Sequence, residues 1–485
     1  MDTAKLISKA RETRDSSIAR VEPPLAPLPD PLPKNVTRIP SQLLTARELE
    51  ITALDAPELL KAIRDKVYSS EDVTRAFLRR AALAQKLTNC ITELLPERAI
   101  ERAKYLDSLP HPIGPFHGLP ISIKEHHGMR GCSTNGGYVA LVERDPDGDL
   151  PLNDVLWEAG AVFYARTTQP QAVMHLETST GIYGVTVNPW NTDLTAGGSS
   201  GGESALVAMR GSVLGMGGDI GGSIRCPAAN TGIYGFKPTP GRICSTGTIV
   251  ASSGQEGVMA TKGPMSTSRS GLDLFMEAEV AQTLKAAGHE IVDWIPEGHD
   301  ECWNITHSLY YEDGAKCVET LLAKGGEELL PLTEWLIKDN ENVKWRTAEE
   351  VCALKVKRNA YRQRYNKLWR STASPNSPMV DAILCPTGPG AAPPHGNAKY
   401  WSYTSQWNLL EYPGVVFPVT SVDQKLDIKD EKYVPMNEQD KFNHDLYEPG
   451  RYVDAPIGLQ IVTRKWEDEK CLKVLEVVEK AMGRK

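Results

Sequence analysis

The sequence predicts an α/β fold, a sheet covered on both faces by helices. Three observations carry this. Short apolar runs recur from the middle of the chain to its end: Leu119 to Ile123, AVFYA at 161–165, AILCPT at 382–387 and IGLQIV at 457–462. Each has the length and mainly apolar character of a buried strand. Helical patterns interleave with them, DVLWEAG at 154–160 before the second run and the amphipathic WEDEKCLKVLEVVEKAM after the fourth. Strands alternating with helices define a layered α/β protein.

The elements read in order as follows. Residues 1–105 form a mainly helical N-terminal region that carries a proline-rich arm, PPLAPLPDPLP at 23–33. Proline fixes φ and favours extended geometry, so the arm reads as a surface strap. Asp55-Ala56-Pro57-Glu58 has the form of a capping box with proline inside the first turn. Ser69 with Asp72 starts a second helix, whose stripe of Val73, Phe77 and Leu78 predicts a buried face. Residues 115–265 are expected to be the catalytic core and residues 279–485 to complete the sheet, in a single domain spanning 1–485. No internal repeat interrupts this order.

Composition removes several classes of function. Hydrophobic residues make up 41% and charged residues 24% of the 485, which excludes a disordered or fibrous chain. A net charge of −8 without a dense Lys/Arg cluster offers no field for nucleic acid. The nine cysteines are odd in number and never in CxxC spacing, which reads as reduced thiols and predicts a cytoplasmic protein. The N-terminus MDTAKLISKARETRDSS lacks an apolar core, and no 18-residue apolar run follows, so neither signal peptide nor membrane span is expected. Oligomeric state is open, a homodimer included.

The most informative stretch is TAGGSSGGESALVAMRGSVLGMGGDIGGSIRCPAANTGIYGFKPTPGR at 195–242. Each ordered glycine costs roughly 0.5–1 kcal/mol relative to alanine, so such density implies a need for bare backbone. Phosphate cradling is disfavoured, because neither GxxxxGK[ST] nor GxGxxG after a strand occurs. For an arbitrary glycine pair, close packing of helix on strand is the commoner role. Here Ile220-Gly221-Gly222-Ser223 instead offers backbone N–H groups converging beside a hydroxyl, the arrangement an acyl-transfer enzyme needs.

GGSSGGE at 197–203, GGDIGGSIRCPA at 217–228, GFKPTPGR at 235–242 and LPISIKEHHGM at 119–129 resemble the amidase signature family. GVTVNPWN, DAPIGLQIV and EYPGVVFPVT are similar to its fungal acetamidase-like branch, so the likeness runs from about residue 20 to the end. The resemblance implies an α/β/α fold with a mixed, twisted central sheet flanked by helices on both faces. It also implies a hydrolase acting on linear carboxylic amides through a Ser-cisSer-Lys triad. The implied positions are Lys124, Ser199 and Ser223, 75 and 24 residues apart, with the backbone N–H groups of Ile220, Gly221, Gly222 and Ser223 as oxyanion donors.

The chemistry suits these residue types. A free lysine, with a pKa of about 10.4, is no base at neutral pH, but burial can lower that value by several units. Lys124 would then accept a proton relayed by Ser199 from the nucleophile Ser223, and an acyl-enzyme would form. No metal or cofactor is expected. The substrate is a small-molecule amide, and the sequence does not choose among short aliphatic, aryl, indole and fatty acyl amides.

Neighbouring residues have plainer readings. Asp219 and Arg225 are expected to brace the loop, and Thr178 to make a polar contact near the triad. His126 and His127 invite a metal reading, but adjacent residues cannot share one face and no HExxH occurs, so loop packing is expected. Glu125 stands where the family commonly has Asp. An alternative nucleophile is Ser200, central in the GxSxG of Gly198 to Gly202, which would make the chain an α/β-hydrolase-type esterase. That reading needs a downstream base among His289, His299, His307, His395 and His444. A non-catalytic relative and an amidotransferase subunit are further alternatives. The first is opposed by the intact Lys124, Ser199 and Ser223, the second by the fungal-type flanks.

One departure from the resemblance stands out. Relatives carry a further segment, with a strand and a Pro-rich turn, between residues like 263–278 and those like 279–294. Here Ala278 runs directly into Glu279, and a missing segment is expected at this junction.

Overall fold

The computed structural model describes residues 2–144, 148–252, 254–277, 294–374 and 378–483. The 278/279 junction and His289 lie outside the described residues. Among the described residues eleven strands follow in chain order: β1 (Ile91–Leu94), β2 (Pro120–Lys124), β3 (Val162–Thr167), β4 (Ser179–Thr180), β5 (Gly184–Val185), β6 (Leu214–Asp219), β7 (Tyr234–Lys237), β8 (Thr261–Ser266), β9 (Ile383–Pro386), β10 (Gly414–Ser421) and β11 (Pro456–Val462). Nine of them form one sheet in the order β1-β3-β2-β6-β8-β7-β10-β11-β9, while β4 and β5 pair apart.

The sheet is mixed. β2 runs parallel to β3 and to β6, and the remaining neighbours are antiparallel. Its four predicted strands are β2, β3, β9 and β11; every residue of β2 and β3 is buried, Ser122, Lys124, Arg166 and Thr167 included, whereas β9, expected to be buried, lies at the end of the sheet and exposes Leu384. Helices flank it. The helix Ser70–Thr88 packs on β1, β2 and β3, Arg225–Thr231 on β7, β10 and β11, and Asp468–Ala481 on β10 and β11.

The caps behave as the side chains dictate. Asp55 accepts from the Glu58 backbone N–H at 2.9 Å, and the Glu58 carboxylate accepts from the Asp55 N–H at 2.9 Å, closing both halves of the box. Ser69 accepts from Asp72 N–H at 3.0 Å, and Val73, Phe77 and Leu78 are all in the core. The proline arm lies along the N-terminal helices. Arg79 donates to the Pro24 carbonyl at 2.9 Å, and Leu25 and Leu28 pack on the core. No helix among the described residues is long and apolar enough to cross a membrane.

What places the site is the parallel pair β2 and β6. Ile123 is in register with Met216, so Lys124, ending β2, emerges at the same edge of the sheet as the loop that follows Asp219. The carboxyl ends of adjacent parallel strands are where open α/β sheets leave a crevice.

Candidate active site

Lys124, Ser199 and Ser223 come together on the wall of one cavity of about 350 Å³. Lys124 Nζ lies 2.6 Å from Ser199 Oγ. Lys124 is fully buried, and burial, aided by the charge of Lys262, pushes its pKa well below the ordinary lysine range against the opposing pull of Asp219 and Glu203. The Gly198–Ser199 peptide is cis. Ser223, from the turn after β6, anchors the serine loop by accepting the Ser200 N–H on its carbonyl at 3.1 Å.

The turn is held by two groups far away in sequence and by one from the helix that follows it. Tyr310 donates its hydroxyl to the Ile220 carbonyl, Thr404 Oγ1 donates to the Gly221 carbonyl at 2.7 Å, and Cys226 N–H donates to the Gly222 carbonyl at 2.7 Å. In a trans peptide the N–H points opposite the carbonyl. Anchoring the carbonyls of Ile220 and Gly222 therefore turns the N–H groups of Gly221 and Ser223 away from the anchors. Gly222 adopts φ of 125°, and a Cβ there would collide with Thr404, so only glycine fits.

Of the four expected oxyanion donors, Gly222 stands apart. Its N–H donates to Asp219 Oδ1 at 2.9 Å, because the tight turn folds it back over that carboxylate. The N–H groups of Ile220, Gly221 and Ser223 have no protein acceptor among the described residues. Asp219 and Arg225 brace the loop as expected. Arg225 Nε is 3.1 Å from Asp219 Oδ2 and Nη2 is 3.2 Å from Oδ1, with Ile224 N–H and Asn408 Nδ2 also donating to the carboxylate. Burial would raise the Asp219 carboxyl, and the adjoining guanidinium overcomes that, holding it at about 2.

Thr178 does not line the cavity. Its Oγ1 donates to the Gly197 carbonyl at 3.0 Å and accepts from Gly201 N–H at 3.1 Å, so its polar contact is with the serine loop's own backbone. His126 also differs from expectation: besides packing on His127 with ring centroids 4.6 Å apart, it lines the cavity and bonds Lys262. Sequence patterns gave no sign of Tyr310, Thr404, Asn408 or Lys262.

Ser200 is placed differently from Ser223. It is completely buried at the start of the helix Gly201–Ala208, with Oγ 3.4 Å from both the N and O of Gly218, and it does not line the cavity. None of the described downstream histidines bonds it. His395 faces the Thr192 carbonyl and Glu177, His444 faces the Asp430 carbonyl, and His299 and His307 have no hydrogen bond to it. Among the described residues no group of three or more His, Cys, Asp or Glu could hold a metal ion.

A fold and site of this kind define a hydrolase of amides, and comparison with known proteins agrees. The sequence pattern of the Amidase family matches residues 72–279 and 276–472. The chain is 40% identical to an amidase homologue of Schizosaccharomyces pombe, with 99% of each chain covered, and 33% identical to an acetamidase of Emericella nidulans over 91% of this chain and 92% of that one. Its structure superposes on a fatty acid amide hydrolase with a TM-score of 0.90 at 30% identity, covering 99% of this chain and 95% of that chain. The chain belongs to the Amidase family, the amidase-signature enzymes, and is an amide hydrolase.

Proposed function

We propose that the protein cleaves the C–N bond of a carboxylic amide, giving acid plus ammonia or amine, with Ser223 as nucleophile, Ser199 as relay and Lys124 as base. The observation that carries this is the 2.6 Å approach of a buried Lys124 to Ser199 inside the cavity that Ser223 lines. Neutral Lys124 takes the Ser199 proton as Ser199 takes that of Ser223, and Ser223 Oγ bonds the carbonyl carbon. The carbonyl π pair moves to oxygen, and the N–H groups of Ile220, Gly221 and Ser223 receive the oxyanion. As the tetrahedral adduct collapses, the proton returns through Ser199 to the departing nitrogen. Water then repeats the sequence on the acyl-enzyme and frees Ser223.

The test is ammonia release over a panel of amides graded by acyl length. Ser223→Ala and Lys124→Ala should each lose several orders of magnitude, since removing one member of a proton relay disables the others. A Ser223→Ala protein that keeps its turnover contradicts the assignment.

We further infer that the chain lacks a segment at the 278/279 junction. Two findings support this: the family match divides at residues 276–279, and the alignment with the Schizosaccharomyces pombe homologue runs to 536 positions against a chain of 485 residues.

A further inference from the structure

One wall of the cavity carries a second buried lysine that the reaction does not use. Lys262 lies on β8 in register with Gly218 of β6, one strand across from the turn that holds Ser223. It is 2% exposed and lines the cavity together with Lys124, Ser199 and Ser223. An ammonium has three donors. Among the described residues Lys262 Nζ has one hydrogen-bond partner, His126 Nε2 at 3.1 Å.

The buried acids of neighbouring segments are committed elsewhere. Asp219 serves Arg225, Gly222 and Asn408, and Glu125 accepts from the backbone of Asn135 and Gly136 and from Gln169. Burial, with no carboxylate acting against it, pushes Lys262 down to about 7. His126, also held well below its usual range by burial and by the charge of Lys262, is neutral. Accepting at Nε2, it carries its proton on Nδ1, which has no partner. It therefore fixes the direction of the ammonium without neutralising it. The bare backbone of Gly218 keeps the approach clear, because a Cβ there would stand 3.1 Å from Nζ. A buried ammonium short of acceptors is costly unless something entering the cavity supplies them, and a carboxylate does so with a strong, charge-assisted bond.

We propose that Lys262, aimed by His126, is a specificity-determining cation that takes a carboxylate carried by the amide substrate. The substrate class is then an amide bearing an acid group, either on the acyl side, as in a dicarboxylic monoamide, or on the amine side, as in an N-acyl amino acid. The inference rests on the reading of Lys124, Ser199 and Ser223 as the reacting groups.

Two matched pairs separate the sides: succinamate against butyramide, and N-acetylglycine against N-ethylacetamide. The wild-type protein should prefer the acidic member of at least one pair by tenfold or more in kcat/KM. Lys262→Met should reduce that ratio at least tenfold, and Lys262→Arg should retain part of it. Calorimetric titration of the Ser223→Ala protein with the same four amides reads the same cation without turnover, and so stays decisive if Lys262→Met does not fold. In the favoured pair the acidic member, succinamate or N-acetylglycine, should bind at least tenfold more tightly than its neutral counterpart, butyramide or N-ethylacetamide. Equal kcat/KM and equal binding within both pairs, or a preference unchanged in Lys262→Met, overturns the proposal. Turnover by Ser223→Ala that keeps the acid preference would instead overturn the nucleophile assignment and leave Lys262 in place.

Discussion

Asp219 and Arg225 form a completely buried ion pair six residues apart, and the turn between them holds Ser223. The carboxylate binds the loop's own N–H groups while the guanidinium reaches the Thr404 carbonyl and Asn408 Oδ1, at 2.9 and 2.6 Å. One pair thus ties the turn to the helix Ser402–Leu409. Asp219→Asn leaves the guanidinium buried without its charge partner. Breaking such a pair costs about 3–5 kcal/mol, so a lowered Tm and loss of turnover are expected together. Arg225→Lys should fail to rescue, because an ammonium cannot replace a two-point fork. Thermal melts and kcat of the two variants check this, and a wild-type Tm for Asp219→Asn would count against it.

Tyr310→Phe removes the donor that orients the Ile220 carbonyl while leaving the ring in place. A net hydrogen bond is worth about 1 kcal/mol, so kcat should fall by about fivefold with KM little changed. Steady-state kinetics on one amide tests this; a raised KM at constant kcat would mean that Tyr310 acts on substrate binding instead.

Burial in the fold holds the Lys124 pKa well below the ordinary lysine range, whereas an unfolded chain protonates it up to about pH 10.4. The sign follows. A lysine whose folded pKa is lowered subtracts from stability at every pH below its unfolded value, and the penalty fades as pH rises toward that value. Lys124→Met should therefore raise Tm at pH 7 while abolishing turnover. A Tm at or below wild type contradicts the burial argument.

The same titration shapes the pH profile. The charged and titratable groups acting on Lys124 are Lys262, which lowers its pKa, and Asp219 and Glu203, which raise it. kcat/KM should rise with pH as Lys124 loses its proton. Lys262→Met deletes a like charge and lets the Lys124 pKa climb, so the acid limb should move to higher pH. A shift toward lower pH, or none, would show that Lys262 does not act on the base.

Four of the nine strands of the sheet, and the helix starts before them, were legible in the sequence because local rules governed them. The capping box at Asp55 and Glu58, the helix start at Ser69 and the apolar runs of β2, β3, β9 and β11 all carry their own signal. The short β1 and the glycine-bearing β7 and β8 do not, since YGFK and TKGPMS match neither period. In the site, Ser223 was marked by the glycine-rich stretch around it, while Lys124 and Ser199 were marked only by the resemblance of LPISIKEHHGM and GGSSGGE to the amidase signature. Tyr310, Thr404 and Asn408 reach the turn from 90 to 189 residues away, and such contacts leave no periodicity to read. Lys262 sits in a strand whose pattern gives no reason to single it out.

If a segment is missing at the 278/279 junction, restoring one from a relative should stabilise the protein. β9 ends the described sheet and exposes Leu384 at 54% of its surface, an edge that a further strand could cover. A higher Tm for the restored chain is expected, and equal midpoints would show that the segment is dispensable.

The central claim is that Ser223 is the nucleophile, and mass spectrometry of the peptide labelled by a fluorophosphonate tests it most directly. The adduct should lie on Ser223, vanish in Ser223→Ala and persist in Ser200→Ala, whose hydroxyl is buried against Gly218. An adduct on Ser200, with Ser223→Ala still active, would contradict the account and require a base other than Lys124.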